Sequence, residues 1–288
     1  MISAARDNGL VSLEKCLQRP QNPDEADERG RTPLHHVAEV GHLEAALLLL
    51  EAKAKIDQLD VSGFTPLWMA AELGHVDIVR LLVEAGAFKD QEASDGATPL
   101  IVAAGKGHLE IVRLLVEGGA IKDKASHNGA TALLMAVQEG HLEIVRLLVD
   151  AGADKDQTTV DCKTPLWFAA LEGHLDTVRY LVELGAAKDH SADYGATPLF
   201  VAAQGGYLDI VCLLLESGAA KDQAANDGAT PLYAAAQEGH LEIVRLLVEV
   251  SAASAATDQA TKRGATALYI AAGKGHLQIV TLLDLVLR

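Results

Sequence analysis

Seven of the eleven histidines each follow a glycine: His42, His75, His108, His141, His174, His240 and His276. Imidazole binds metal ions and moves protons near neutral pH, so a recurring Gly-His pair is the first place to look for chemistry. The spacing argues against it. Most of these histidines stand 33 residues from the next, one in each copy of a longer pattern. A metal site needs several ligands converging on one ion. One histidine per copy suits hydrogen bonds that tie neighbouring loops together. The carboxylates and arginines that follow, as in Glu110 and Arg113, are i,i+3 pairs on an exposed helix face. Gly105-Lys106-Gly107 and Gly273-Lys274-Gly275 lack the Ser/Thr, the upstream glycine and the preceding strand of a phosphate loop. Cys16, Cys162 and Cys212 are widely spaced with no CxxC, which fits a reducing compartment better than a disulfide framework or a zinc site. No GxSxG or HExxH occurs. The chain is expected to be non-catalytic, with no catalytic, metal or cofactor-binding residues.

The bulk composition narrows the partners. The 288 residues carry a formal charge of −16, which disfavours nucleic acid and anionic membrane as main partners because phosphate binding needs a basic surface. The N-terminus has no basic segment followed by an apolar run, and no apolar stretch approaches the ~18 residues of a spanning helix. The expectation is a soluble protein of the cytoplasm or nucleus, without membrane insertion. Aromatics make up only 4%, so Ala, Leu and Val must carry the core through many small contacts.

The elements that position these residues repeat. Thr32, Thr65, Thr98, Thr131, Thr164, Thr197 and Thr230 are 33 apart, and Thr266 follows after 36. Each copy reads G-x-T-P-L-x-x-A-A-x-x-G-H-x-x-x-V-x-x-L-L-x-x-G-A with local departures. The threonine hydroxyl caps a helix. Proline follows at the first helical position, where no N–H is needed; Ala132 and Ala267 replace it twice. The next residue is always Leu, from Leu34 to Leu268, and belongs to the core. Gly41, Gly74, Gly107 and their equivalents end the first helix in a left-handed conformation. Ile78, Val79, Leu81 and Leu82 lie on one stripe of the second helix, which a further glycine such as Gly86 ends. A single unit cannot bury its stripe alone, so the copies must stack. Ala5 lies 33 before Ala38, and "AARDNGLVSLEKCLQ" supplies a further helix pair with Asn8 in the glycine position. Nine helix pairs are expected.

This pattern resembles the ankyrin repeat. The resemblance covers nearly the whole chain and implies an all-α solenoid of stacked helix-turn-helix units with projecting β-hairpin loops. The expected organisation is a partial capping repeat over 1–26, repeats at 27–59, 60–92, 93–125, 126–158, 159–191, 192–224 and 225–260, and a C-terminal repeat at 261–288, in one continuous domain. In the family, hairpins and first helices line a concave face that binds partners, and second helices form the back.

The positions that vary are those a partner would read. Arg31, Phe64, Ala97, Ala130, Lys163, Ala196, Ala229 and Ala265 precede the threonines. His35, Trp68, Ile101, Leu134, Trp167, Phe200, Tyr233 and Tyr269 stand three after them. Pairs such as Glu39/Val40, Glu72/Leu73 and Gly105/Lys106 end the first helices. Eight of the eleven aromatics fall in the first helices or within three residues before their capping threonines, and aromatics anchor interfaces. The candidate partner-binding residues are therefore Phe64, Trp68, Leu73, Lys163, Trp167, Tyr194, Phe200, Tyr233 and Tyr269. A second reading stands beside this one: the site three after Thr packs between layers. The family usually has His there, and its loss everywhere except His35 puts an inter-layer hydrogen bond in doubt. The expected function is a protein–protein interaction scaffold, the alternative a regulatory or targeting arm of a larger enzyme or channel. Three extra residues precede Thr266, and Asp284 takes a usual Leu position. The C-terminal end is thus expected to be the loosest part and a surface for self-association.

Overall fold

A computed structural model describes residues 1–7, 9–17, 22–251 and 255–287. Asn8, assigned to a helix-ending turn, lies outside them, as does part of the insertion before Thr266. The described residues form two compact units, Met1–Asp154 and Lys155–Arg288. The first holds α1 (Ile2–Arg6), α2 (Leu10–Leu17), α3 (Pro33–Val40), α4 (Leu43–Glu51), α5 (Pro66–Leu73), α6 (Val76–Glu84), α7 (Pro99–Gly105), α8 (Leu109–Glu117), α9 (Ala132–Gln138) and α10 (Leu142–Asp150). The second holds α11 (Pro165–Glu172), α12 (Leu175–Glu183), α13 (Pro198–Gly205), α14 (Leu208–Glu216), α15 (Pro231–Glu238), α16 (Leu241–Ser251), a 3₁₀ turn at Ala255–Asp258, α17 (Ala267–Lys274) and α18 (Leu277–Leu287).

In the first unit the odd-numbered helices pack side by side in one row and the even-numbered helices in another. The second unit repeats this with α11, α13, α15 and α17 against α12, α14, α16 and α18. The rows form because each helix offers its neighbour small, fully buried residues: Ala70 and Ala71 on α5, Ala103 and Ala104 on α7, Ala202 and Ala203 on α13. Leu67, Leu100 and Leu166 fill the space between the rows, as do Ile78, Val79 and Leu82 from α6.

The local signals act as their chemistry requires. Thr65 Oγ1 accepts the Trp68 N–H at 3.1 Å and Thr164 Oγ1 the Trp167 N–H at 3.2 Å. Gly74 closes α5 at φ +82°, a region costly for other residues. Six of the Gly-His imidazoles reach back one layer. His75 Nε2 donates to Glu39 O at 3.0 Å, His108 Nε2 to Glu72 O at 3.1 Å, and His240 Nε2 to Gln204 O at 3.0 Å. His141 and His276 Nε2 donate to Gly105 O and Gln237 O in the same way, and His42 reaches Ala5 O through Nδ1. A carbonyl can only accept, so the bonding nitrogen carries the proton and the imidazole is committed to structure.

Two features differ from expectation. The loops implied as β-hairpins contain no strand among the described residues. Each is a tight turn: Gly63 N–H donates to Asp60 O and Asp60 N–H to Phe64 O. Neighbouring loops share one backbone bond, as from Ser94 N–H to Ser62 O at 3.1 Å, too few for a ladder. The second feature was missed in the sequence. Asp24, Asp57, Asp90 and Asp123 in the first unit, and Asp156 and Asp189 in the second, each accept a backbone N–H 31 residues on. The Lys-Asp pair that recurs after the second glycine is therefore a clamp between layers.

Candidate partner-binding face

The variable positions lie in the loops and first helices of each unit. The residue three after Thr faces the next layer. Trp68 is 6% exposed and its indole N–H donates to Ala97 O at 3.1 Å. Trp167 is equally buried and donates to Ala196 O at 3.1 Å. His35 Nε2 donates to Phe64 O at 3.0 Å, while its Nδ1 accepts the Thr32 N–H at 3.1 Å. The doubt over this inter-layer bond is thus corrected for two layers: an indole N–H reaches the carbonyl that the imidazole reaches in the His35 layer. Only in the second unit does the register open outward, with Phe200 and Tyr233 half-buried and Tyr269 68% exposed.

Five of the nine candidate residues gather into two clusters. Phe64 stacks on Trp68 with centroids 4.0 Å apart; Phe64 is half-buried, and Leu73, at the far end of α5, is exposed. In the second unit Lys163 Nζ lies 5.2 Å from the Trp167 ring centre, a cation–π contact, and also bonds Asp161 at 3.3 Å. Tyr194 meets Trp167 edge to face at 6.3 Å and is itself exposed. Burial raises the Tyr194 phenol above its ordinary range, so it stays a neutral donor.

A concavity in the first unit lies along the α7 and α9 layers, which carry no aromatic residue. Ala97, Ile101, Val102, Gly105, Lys106, Ala130, Met135 and Glu139 from the α7 and α9 layers line a cleft of about 690 Å³, closed at the loop end by Asp95, Ser126, His127 and Asn128. It exists because residues are small where other layers are large: Ala97 and Ala130 stand where Phe64 and Lys163 stand elsewhere, and Gly105 stands where Glu72 does. A Cβ on Gly105 would come within 3.3 Å of Met135 Cε. The polar rim is held by its own turns, since Asp95 Oδ1 accepts the Ala97 N–H at 2.9 Å and Asn128 Oδ1 the Ala130 N–H at 3.1 Å. Val102 also packs against the Phe64 and Trp68 cluster, so cleft and aromatic patch are continuous.

A family model described as "Ankyrin repeats (3 copies)" matches residues 1–93, 86–159, 155–225 and 218–284. The chain is an ankyrin-repeat protein. The human ASB11 ankyrin repeat domain, known from a crystal structure, superposes with a TM-score of 0.69 at 30% identity, covering 75% of this chain and 98% of that one. No curated protein matches the sequence. Ankyrin repeats generally mediate protein–protein interaction and are typically non-catalytic modules. No helix among the described residues is long and apolar enough to cross a membrane. In this ankyrin-repeat protein, therefore, the large side chains of Trp68 and Trp167 serve the packing between layers, and the cleft between α7 and α9 leaves the loop and first-helix face unfilled.

Proposed function

We propose that this protein is an interaction scaffold that binds a polypeptide partner on its loop and first-helix face, with one large apolar partner side chain seated between α7 and α9. The observation that carries the reading is the 690 Å³ cleft, with apolar Ile101, Val102 and Met135 lining it and polar groups at both ends. Pockets of this size and polarity take ligands, and Met135 can adjust to the shape of an inserted chain. The exposed Leu73 and the half-buried Phe64 extend the surface along α5. Tyr194, Lys163 and Trp167 offer a second contact region within the other unit, and Phe200, Tyr233 and Tyr269 continue that register.

Gly105→Leu tests this directly. Gly105 ends α7 without a positive φ, so a side chain that the flexible Met135 end moves a few tenths of an ångström to admit fills the cleft. A partner captured with the wild-type chain should lose about tenfold or more in affinity, on the order of 1.4 kcal/mol, with an unchanged melting curve. Phe64→Ala with Leu73→Ala should weaken the same partner less. Full affinity in Gly105→Leu would remove the cleft from the interface.

A further inference from the structure

A second cleft in the first unit, of about 400 Å³, is polar throughout. Arg6 from the last turn of α1, Asp27, Arg29 and Arg31 from the loop before α3, and His36 and Glu39 from α3 line it. The inner part is held by its own hydrogen bonds and ion pairs. Asp27 Oδ1 accepts the backbone N–H groups of Arg29 and Arg31, both at 2.9 Å. The Arg31 guanidinium is held between Asp60 at 3.2 Å and Glu39 at 3.1 Å. Arg6 and Arg29 reach the surface, and neither makes an ion pair among the described residues. Three guanidinium groups thus share one cleft in a chain whose formal charge is −16.

A second, independent observation marks the same place. His36 is 2% exposed, and its Nε2 donates to Asp27 Oδ2 at 3.0 Å. Its Nδ1 has no hydrogen-bond partner and lies 3.6 Å from Glu39 Oε2. Buried polar atoms are ordinarily satisfied. Among the described residues no other buried side-chain polar atom lacks a partner. The hydrogen-bonding complement of this cleft is incomplete.

We infer that the cleft is a binding site for an acidic side chain, carboxylate or phosphate, of a bound polypeptide. Guanidinium forks match oxyanions bidentately, and Arg6 and Arg29 hold donors free to make that match. Glu39 and Asp27 in the same wall suit the N–H donors of the peptide backbone beside the acidic group, which a bare polyanion lacks. The overall negative charge repels a polyanion, whereas a single acidic side chain inside a Debye length of about 8 Å is governed by the nearby arginines. This inference rests on the protein being a polypeptide binder. It is independent of the α7–α9 cleft, which shares no residue with it.

The test uses the full chain, labelled with ¹⁵N, and end-blocked glycine pentapeptides with a central Glu, phosphoserine or Gln. The Glu or the phosphoserine peptide should give saturable shifts at residues 27–39 and at Arg6, and the Gln peptide none. The stronger of the first two identifies the source of the oxyanion. Arg6→Ala with Arg29→Ala should keep the wild-type melting curve and weaken binding at least tenfold; Arg29→Gln alone should weaken it severalfold. Gly105→Leu should leave these shifts unchanged, which separates this site from the other cleft. Absence of saturable shifts with both charged peptides, equal shifts with the Gln peptide, or unchanged affinity in the arginine variants would overturn the inference.

Discussion

The layer of α7 and α8 and the layer of α17 and α18 are written in almost the same residues and experience different surroundings. Leu100 and Leu268 both stand two after a capping threonine, yet Leu100 is fully buried and Leu268 half-exposed. Ala104 is sealed, whereas its counterpart Ala272 faces solvent. A Cβ on Gly107 would strike the His141 ring at 2.7 Å, while one on Gly275 would meet nothing within 4 Å. Leu277 is 75% and Leu285 73% exposed. The difference lies in the neighbour. A repeat supplies half of an interface, and the next layer supplies the rest, so burial is a property of position in the stack.

Truncating the shared leucine should break the comparison most sharply. Leu100→Ala is expected to cost about 2–5 kcal/mol, as for a fully packed core leucine, and Leu268→Ala about 1 kcal/mol; urea unfolding measures both. Native-state hydrogen exchange should show residues 261–287 opening before residues 60–150. Equal costs together with uniform protection would mean that the terminal layer is held by something other than stacking.

The two ways of making the bond between layers give the next test. Burial lowers the pKa of His35 below its ordinary 6.5, ahead of the opposing bond to Phe64 O, whereas the Trp68 indole does not titrate. A group whose folded pKa is depressed holds its proton more tightly when unfolded. The His35 contribution is therefore complete above pH 6.5 and is lost as the pH falls below 6.5 toward the folded pKa. Stability should fall from pH 7 to pH 5, and His35→Gln should flatten part of that slope. An unchanged slope in the variant would assign the pH dependence to other groups.

The smallest effects concern two strained turns. Lys53 at φ +61° and Cys162 at φ +57° occupy positions where most layers have Gly. Lys53→Gly should stabilise by about 0.5–1 kcal/mol. Cys162→Gly should gain less, because the Asp193 carboxylate acts on the Cys162 thiol and raises its pKa, an interaction the glycine lacks. Melting temperatures would show the order, and a loss of stability in Lys53→Gly would show that the lysine stem packs.

Much of this was legible from residue types and spacing. The Thr-Pro starts, the glycine stops, the leucine core and the histidine ties each depend on contacts within a unit or at one fixed offset, and so they repeat with the period. Cys162 stands out for the same reason, since the other layers have Gly at its position, whereas Lys53 stands out less because the second glycine varies more. The cleft was not read, although Ala97, Ala130 and Gly105 were among the variable positions. A cavity is made by small side chains in adjacent layers, which no large residue marks in the sequence. The Asp clamp after the second helix was hidden in a segment that composition marks only as polar.

The sequence by itself determined the stack: a 33-residue period with capping threonines and paired alanines admits little else, because each helix pair needs a neighbour to bury its stripe. It also determined that most histidines serve the fold, since one per layer cannot converge on an ion. Only the tertiary structure decided which equivalent positions are covered and which are open. It buried Trp68 and Trp167 and spent their N–H groups on the next layer, left Tyr194, Leu73 and Tyr269 exposed, and brought Arg6, Arg29 and Arg31 around His36. These outcomes depend on side chains a full repeat apart meeting in space, and on how much volume each leaves for the other, quantities that no single repeat contains.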